Sequence, residues 1–211
     1  MKICEIFKSI QGESSYAGLP CLFIRITGCN LRCSYCDTTY AYFKGKDLSE
    51  DEIMDEVQHA GIRLVEITGG EPLLQKEVYN LIKRLLDEGY KVLLETNGSL
   101  NLKDVDRRAI IILDIKTPGS GMSKKMDLSN IDIIKNTDEI KFVITSRMDY
   151  EWSKEMIQRY RLKDKCHILF SPAFGILSPE DFSMWILEDR LEVRLNLQLH
   201  KYIFSPEKKG I

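Results

Sequence analysis

The run Leu64-Val65-Glu66-Ile67-Thr68-Gly69-Gly70-Glu71-Pro72 reads as a buried strand that breaks straight into a turn and then a helix. Near-continuous aliphatic residues predict a strand covered on both faces. The paired glycines let backbone amides approach a ligand with no Cβ in the way, and Pro72 stiffens the first helical turn. Taken alone, the same residues would also make an ordinary strand–turn–helix junction.

Outward from this run the pattern repeats. Strands are predicted over residues 22–27, 64–68, 91–96, 109–115, 139–144, 166–170 and 194–199. Between them lie helical patterns. Ser49 with Glu52 forms a capping box ahead of the apolar face Ile53, Met54, Val57 and Ala60. Leu74, Val78, Leu81, Ile82, Leu85 and Leu86 give a second helix with Gly89 as its stop, and residues 148–160 and 179–188, the latter capped by Ser178, give two more. Strands alternating with helices imply right-handed βαβ units and a parallel sheet. About six such units are too few for a closed eight-fold barrel, so an α/β fold with a partial, open barrel is expected, as one domain over residues 1–211. The formal net charge of −2, with both signs scattered, argues against a nucleic-acid surface or a polybasic membrane patch. The longest aliphatic run, residues 110–113, is far too short to span a bilayer, and Glu5 interrupts any N-terminal apolar segment. A cytoplasmic location is the expectation.

In parallel α/β folds the reactive groups gather at the carboxyl ends of strands. Four predicted strand ends here are polar: Gly70-Glu71, Glu95-Thr96-Asn97-Gly98, Asp114-Ile115-Lys116 and Ser171-Pro172-Ala173-Phe174. Each alone could be a turn; four on one rim favour a ligand site. Arg25, between Ile24 and Ile26, either faces solvent on an edge or offers its guanidinium fork to a carboxylate inside the barrel.

Cys29-Asn30-Leu31-Arg32-Cys33-Ser34-Tyr35-Cys36 brings three thiols into one loop, one ligand short of a closed site. An open position marks a metal centre that binds a reactant, whereas a zinc knuckle completed by Cys21 or a distant His is the structural alternative. The remaining thiols, Cys4, Cys21 and Cys166, read as inert core groups in apolar strands.

The thiol spacing together with Thr68-Gly69-Gly70-Glu71-Pro72 resembles the radical S-adenosylmethionine superfamily. That resemblance implies a [4Fe–4S] cluster on Cys29, Cys33 and Cys36, with S-adenosylmethionine chelating the fourth iron and yielding a 5′-deoxyadenosyl radical. Adding Ser9-Ile10-Gln11-Gly12-Glu13, Phe23 to Cys29, Cys36-Asp37-Thr38, Glu95 to Gly98 and Gln198 to Tyr202, the chain is similar to the 7-carboxy-7-deazaguanine synthase family of queuosine and deazapurine (tRNA modification) biosynthesis. The family is a carbon–nitrogen lyase that contracts the ring of 6-carboxy-5,6,7,8-tetrahydropterin and releases ammonia. Carried over by motif, Ile10, Gln11, Gly12, Glu13, Arg25 and Thr96 bind the pterin. Tyr35, Cys36, Asp37, Gly70, Glu71, Gly98, Asp114, Ile115, Lys116, Ser171, Pro172, Ala173 and Phe174 meet S-adenosylmethionine, and Thr38 holds Mg²⁺. The resemblance also implies a flavodoxin or ferredoxin as electron donor and a homodimer, with no nucleic acid and no membrane. Asp114 departs from the family's Ser at that point, and His200, Lys201 and the tail from Ser205 to Ile211 receive no role. A glycyl-radical activase shares the cluster and Gly-Gly-Glu-Pro motifs, and a zinc-stabilised binding module is the non-enzymatic alternative.

Overall fold

The computed structural model describes residues 1–205, 208 and 210. The strands are β1 (Lys2–Ile10), β2 (Pro20–Ile26), β3 (Lys46–Asp47), β4 (Leu64–Gly69), β5 (Lys91–Thr96), β6 (Ile110–Asp114), β7 (Glu139–Ile144), β8 (His167–Pro172) and β9 (Arg194–Leu195). They join in one sheet in the order β3-β1-β2-β4-β5-β6-β7-β8-β9. From β2 to β9 every pairing is parallel, and the sheet is open, ending on two-residue strands that leave little edge to pair with another chain.

The helices are α1 (Glu50–Ala60), α2 (Glu77–Asp87), α3 (Arg147–Arg159), α4 (Pro179–Glu188) and α5 (His200–Ile203). Ser49 caps α1 with the reciprocal Glu52 bonds of a capping box, and Ser178 caps α4. No helix among the described residues is long and apolar enough to cross a membrane.

Three expectations are corrected. The segment ahead of the first predicted strand is itself a strand: β1 runs antiparallel to both β2 and β3. Its half-exposed residues mix Lys, Glu and Ser with apolar groups, so no aliphatic run announces it. Residues 97–109 and 115–138 connect strands without an α-helix, the second through three short 3₁₀ turns. Residues beyond Leu195 leave the sheet because the Leu199 amide donates to the Gly12 carbonyl (2.8 Å), and His200 opens α5 rather than ending a strand.

Alternation along the strands divides the side chains into two layers. Ile24, Ile26, Val65, Ile67, Val92, Leu94, Ile140 and Phe142 face the helices in the main core. Burying each such side chain stabilises the fold by roughly 1.5–3 kcal/mol. On the other face Cys21, Phe23, Leu64, Leu93 and Ile112 form a small apolar floor. Arg25, Glu66, Glu95 and Asp114 lie two residues beyond Phe23, Leu64, Leu93 and Ile112, and Lys141 on β7 pairs with Asp114, so a charged tier sits above that floor.

Candidate active site

A cavity of about 410 Å³ opens over this charged tier at the carboxyl ends of the parallel strands. Cys29, Cys33, Tyr35, Cys36, Asp37 and Thr38 line it from the loop after β2, and Gln11, Gly12 and Glu13 from the loop after β1. Arg25, Gly70, Thr96, Asp114, Lys116, Ser171, Pro172, Ala173 and Phe174 complete the predicted residues at its wall. Ile10, Glu71, Gly98 and Ile115 stand outside it.

Each of the four has a structural reason. Ile10 pairs with Pro20 at the end of β1. The Glu71 carboxylate is fully buried behind the wall, where it accepts from the Leu73 amide (3.0 Å), the Thr96 hydroxyl (2.9 Å) and the Asn97 amide (2.8 Å). Gly98 turns at φ +70°, packed against Leu113, and Ile115 belongs to the main core.

The two motifs that anchor the sequence argument are physically joined. The Glu71 amide donates to the Gly28 carbonyl (2.8 Å), and a Cβ on Gly70 would stand 2.7 Å from the Cys29 Cβ. Only glycine lets the turn after β4 press this closely on the thiol loop.

The donor set suits a cluster. The three cysteines share one cavity wall with Tyr42. The Leu31 amide (3.4 Å) and the Asn97 side-chain amide (3.8 Å) donate to the Cys29 Sγ. Among the described residues no three His, Cys, Asp or Glu converge on a single ion. A [4Fe–4S] cluster asks something different, one thiolate for each of three separate irons. Burial pushes the Cys29 and Cys33 thiols up, so loading a cluster must displace their protons. Cys21 lies in the apolar floor and His59 bonds the Asp55 carbonyl on α1, so neither completes a fourth ligand position.

The charged tier is closely paired. Lys141, 5% exposed, contacts Glu13 (2.9 Å), Glu95 and Asp114 (3.6 Å). These carboxylates outweigh burial and raise Lys141 well above its ordinary value, while burial drives Glu95 upward and Lys141 more than reverses it. Glu66 accepts from the Gln11 side-chain amide, and burial with Glu95 and Glu13 nearby raises it well above the usual carboxylate range. Both ends of Gln11 are thereby used, since its Oε1 accepts from the Glu13 amide (2.6 Å); Gln11 shapes the loop that presents Glu13.

Arg25 faces the cavity, not solvent. Its Nε donates to Glu5 (2.7 Å) and its guanidinium lies 5.5 Å from the Phe7 ring centre. That single bond leaves the terminal nitrogens for a ligand. On the opposite wall Lys116 holds one oxygen of Asp114 (2.8 Å), while Asp114 Oδ1 and the Tyr35 hydroxyl are buried with no protein partner. Orphaned polar atoms inside a cavity are what a bound polar ligand satisfies. Asp37, half exposed at the cavity mouth, accepts from Lys201 (2.5 Å), Thr38 (2.8 Å) and Gln198 (3.3 Å), and these hold it below the usual carboxylate range. His200 and Lys201, left without a role by sequence, both line the cavity. In the tail, Pro206, Glu207, Lys209 and Ile211 lie outside the described residues.

Sequence reasoning passed over Glu66, Lys141 and Tyr42. The first two carry the signal used for Arg25, a charge alternating with aliphatic residues inside a buried strand. Tyr42 carries none.

A model of the radical SAM superfamily matches residues 23–182. The chain is 47% identical over 226 residues to 7-carboxy-7-deazaguanine synthase of Koribacter versatilis, covering 100% of both chains. It is 46% identical to the enzyme of that name from Chlorobaculum tepidum, over 100% of this chain and 97% of the other. The crystal structure of QueE from Escherichia coli superimposes with a TM-score of 0.78 at 22% identity, over 94% of each chain. With the family model over most of the chain and relatives matched over its whole length, the chain belongs to the radical S-adenosylmethionine superfamily and, within it, to the 7-carboxy-7-deazaguanine synthase family.

Proposed function

We propose that this chain, acting as one domain, contracts 6-carboxy-5,6,7,8-tetrahydropterin to 7-carboxy-7-deazaguanine with release of ammonia, a carbon–nitrogen lyase step of deazapurine biosynthesis in the cytoplasm. The observation that carries the reading is the opening of the three thiols and of Arg25 into one cavity. When bound, the cluster and S-adenosylmethionine supply a carbon-centred radical that takes hydrogen from the substrate.

The protein's part is to bind, orient and shield. Cys29, Cys33 and Cys36 hold the cluster. Tyr35, Asp37, Gly70, Asp114, Lys116 and the stretch from Ser171 to Phe174 surround S-adenosylmethionine. Asp114 Oδ1 and the Tyr35 hydroxyl offer it their free hydrogen-bonding capacity. Glu71, Gly98 and Ile115 act from behind the wall by fixing backbone. Arg25 takes the substrate carboxylate with its terminal nitrogens, a charge-assisted contact out of bulk water. Glu13, held by Lys141 and Gln198, accepts from the N–H-rich pterin edge, while Gly12 and Thr96 shape the adjoining wall. Thr38 Oγ1, already oriented by Asp37, has lone pairs left for a Mg²⁺ whose other ligands are water and substrate oxygens. A flavodoxin or ferredoxin supplies the electron, and the enzyme works as a homodimer.

The test is anaerobic. Reconstituted protein with carboxytetrahydropterin, S-adenosylmethionine and Mg²⁺ should form the deazaguanine chromophore and one ammonia per product. S-adenosylmethionine cleavage with no deazapurine would point to another radical reaction.

A further inference from the structure

Outside the cavity, one surface combines exposure, charge and a direct link to the thiol loop. Phe43 is 76% exposed, the most exposed large apolar side chain among the described residues. A single exposed phenyl is common, but this one has a specific setting. Arg32, exposed between Cys29 and Cys33, lies with its guanidinium 4.1 Å from the Tyr42 ring centre and 5.8 Å from that of Phe43. Its Nη1 donates to the Cys29 (2.8 Å) and Leu31 (2.7 Å) carbonyls, so it is held in place. Tyr42 packs edge-on to Phe43 at 6.2 Å and lines the same cavity as Cys36.

The exposed Lys44 and Lys46 follow Phe43 at once, with Asp47 the nearest acid in sequence. The turn is fixed: the Thr27 hydroxyl donates to the Lys44 carbonyl (2.7 Å), and Lys46 pairs with Ile3 across β1 and β3. An exposed aromatic beside Arg32 and followed by two exposed lysines, next to a tyrosine that lines the thiols' cavity, has the composition of a small, electrostatically steered interface.

We propose that the face formed by Arg32, Phe43, Lys44 and Lys46 docks an acidic one-electron carrier protein. The inference rests on the proposed function, which needs an electron at the thiol loop. The carrier loses one electron and the oxidised cluster gains it, and no bond forms or breaks. Docking here brings the carrier beside Tyr42 and Cys36 while the substrate cavity stays free.

The experiment compares reconstituted wild type with Phe43→Ala and with Lys44→Glu/Lys46→Glu, using flavodoxin as the probe. Two quantities are read: flavodoxin affinity by calorimetry, and the rate of cluster bleaching by reduced flavodoxin or, separately, by dithionite. Wild-type affinity should fall steeply as salt shortens the screening length. The charge-reversed variant should lose about 10-fold or more in affinity and in flavodoxin-driven bleaching, and Phe43→Ala about 5-fold, with dithionite rates unchanged. Unchanged flavodoxin binding and bleaching in both variants would overturn the proposal. So would equal slowing by dithionite, which would trace the defect to the cluster loop. Loss of self-association with flavodoxin unaffected would also overturn it, by assigning the face to a second copy of the chain. Failure of dithionite-reduced wild type to cleave S-adenosylmethionine would overturn the proposed function, and the docking inference with it. Flavodoxin affinity is read without turnover, so the two failures remain distinguishable.

Discussion

Lys141 Nζ on β7 lies 2.9 Å from Glu13 Oε2 in the loop after β1, joining residues 128 apart in sequence. The same ammonium touches Glu95 and Asp114. One buried cation thus ties the loop proposed to read substrate to a strand end proposed to read cofactor. Removing it leaves three carboxylates without their shared partner, so Lys141→Met should cost about 3 kcal/mol of unfolding free energy. In a urea melt, Glu13→Gln with Lys141→Met should lose less than the sum of the single changes. A strictly additive pair would show that the contact carries no coupling.

The three thiols proposed to hold the cluster separate from the others in what their loss should do. Cys29→Ala, Cys33→Ala and Cys36→Ala should each lose bound iron and S-adenosylmethionine cleavage. Cys4→Ala, Cys21→Ala and Cys166→Ala should keep both, since Cys21 sits in the apolar floor away from the cavity. Iron counted per chain before each assay distinguishes a missing cluster from a misfolded protein.

Arg25→Lys exchanges a fork for a point charge. The Michaelis constant for carboxylated pterin should rise at least about 10-fold, with S-adenosylmethionine affinity little changed. Equal losses with a decarboxylated pterin would assign Arg25 to holding Glu5 instead.

Thr38→Ala should weaken the Mg²⁺ dependence of the rate while leaving iron content intact, and Thr38→Ser should restore it. If Thr38 only props the thiol loop, the Ala variant loses iron and keeps its Mg²⁺ response.

Glu66 makes stability depend on pH. Burial, reinforced by Glu95 and Glu13, raises its folded value well above 4.5. The native state therefore binds the proton more tightly than the unfolded chain, and this contribution is complete below about pH 4.5 and fades as pH climbs toward the folded value. Glu66→Gln keeps an acceptor for Gln11 and should raise the melting temperature at alkaline pH while changing little near the acid end. A uniform loss across the range would mean that Glu66 is ionised and paired in the fold.

Much of this molecule is legible in its sequence, for identifiable reasons. The six long parallel strands announce themselves because burial on both faces demands aliphatic runs, and α1 because its capping box is local chemistry. β1 stays hidden because an antiparallel, half-exposed strand tolerates Lys, Glu and Ser. The segment after Leu195 misleads because its path is set by a distant bond to Gly12. At the site, Cys29, Gly70 and Arg25 are visible as motif residues. The pairing of Lys141 with Glu13 depends on register across the sheet, which no local pattern encodes. Glu71 shows the converse: its motif marks it for the ligand, yet its carboxylate is spent on Leu73, Thr96 and Asn97.

The central claim is that one cavity presents the substrate's C6–H to the radical that S-adenosylmethionine supplies. Carboxytetrahydropterin deuterated at C6 tests it directly, with mass spectrometry of the S-adenosylmethionine pool during turnover. With a hydrogen returned to the rearranged substrate and S-adenosylmethionine re-formed in each turnover, the account predicts deuterium accumulating in that pool as 7-carboxy-7-deazaguanine forms; product formation with an unlabelled pool and deuterium released to water would contradict it.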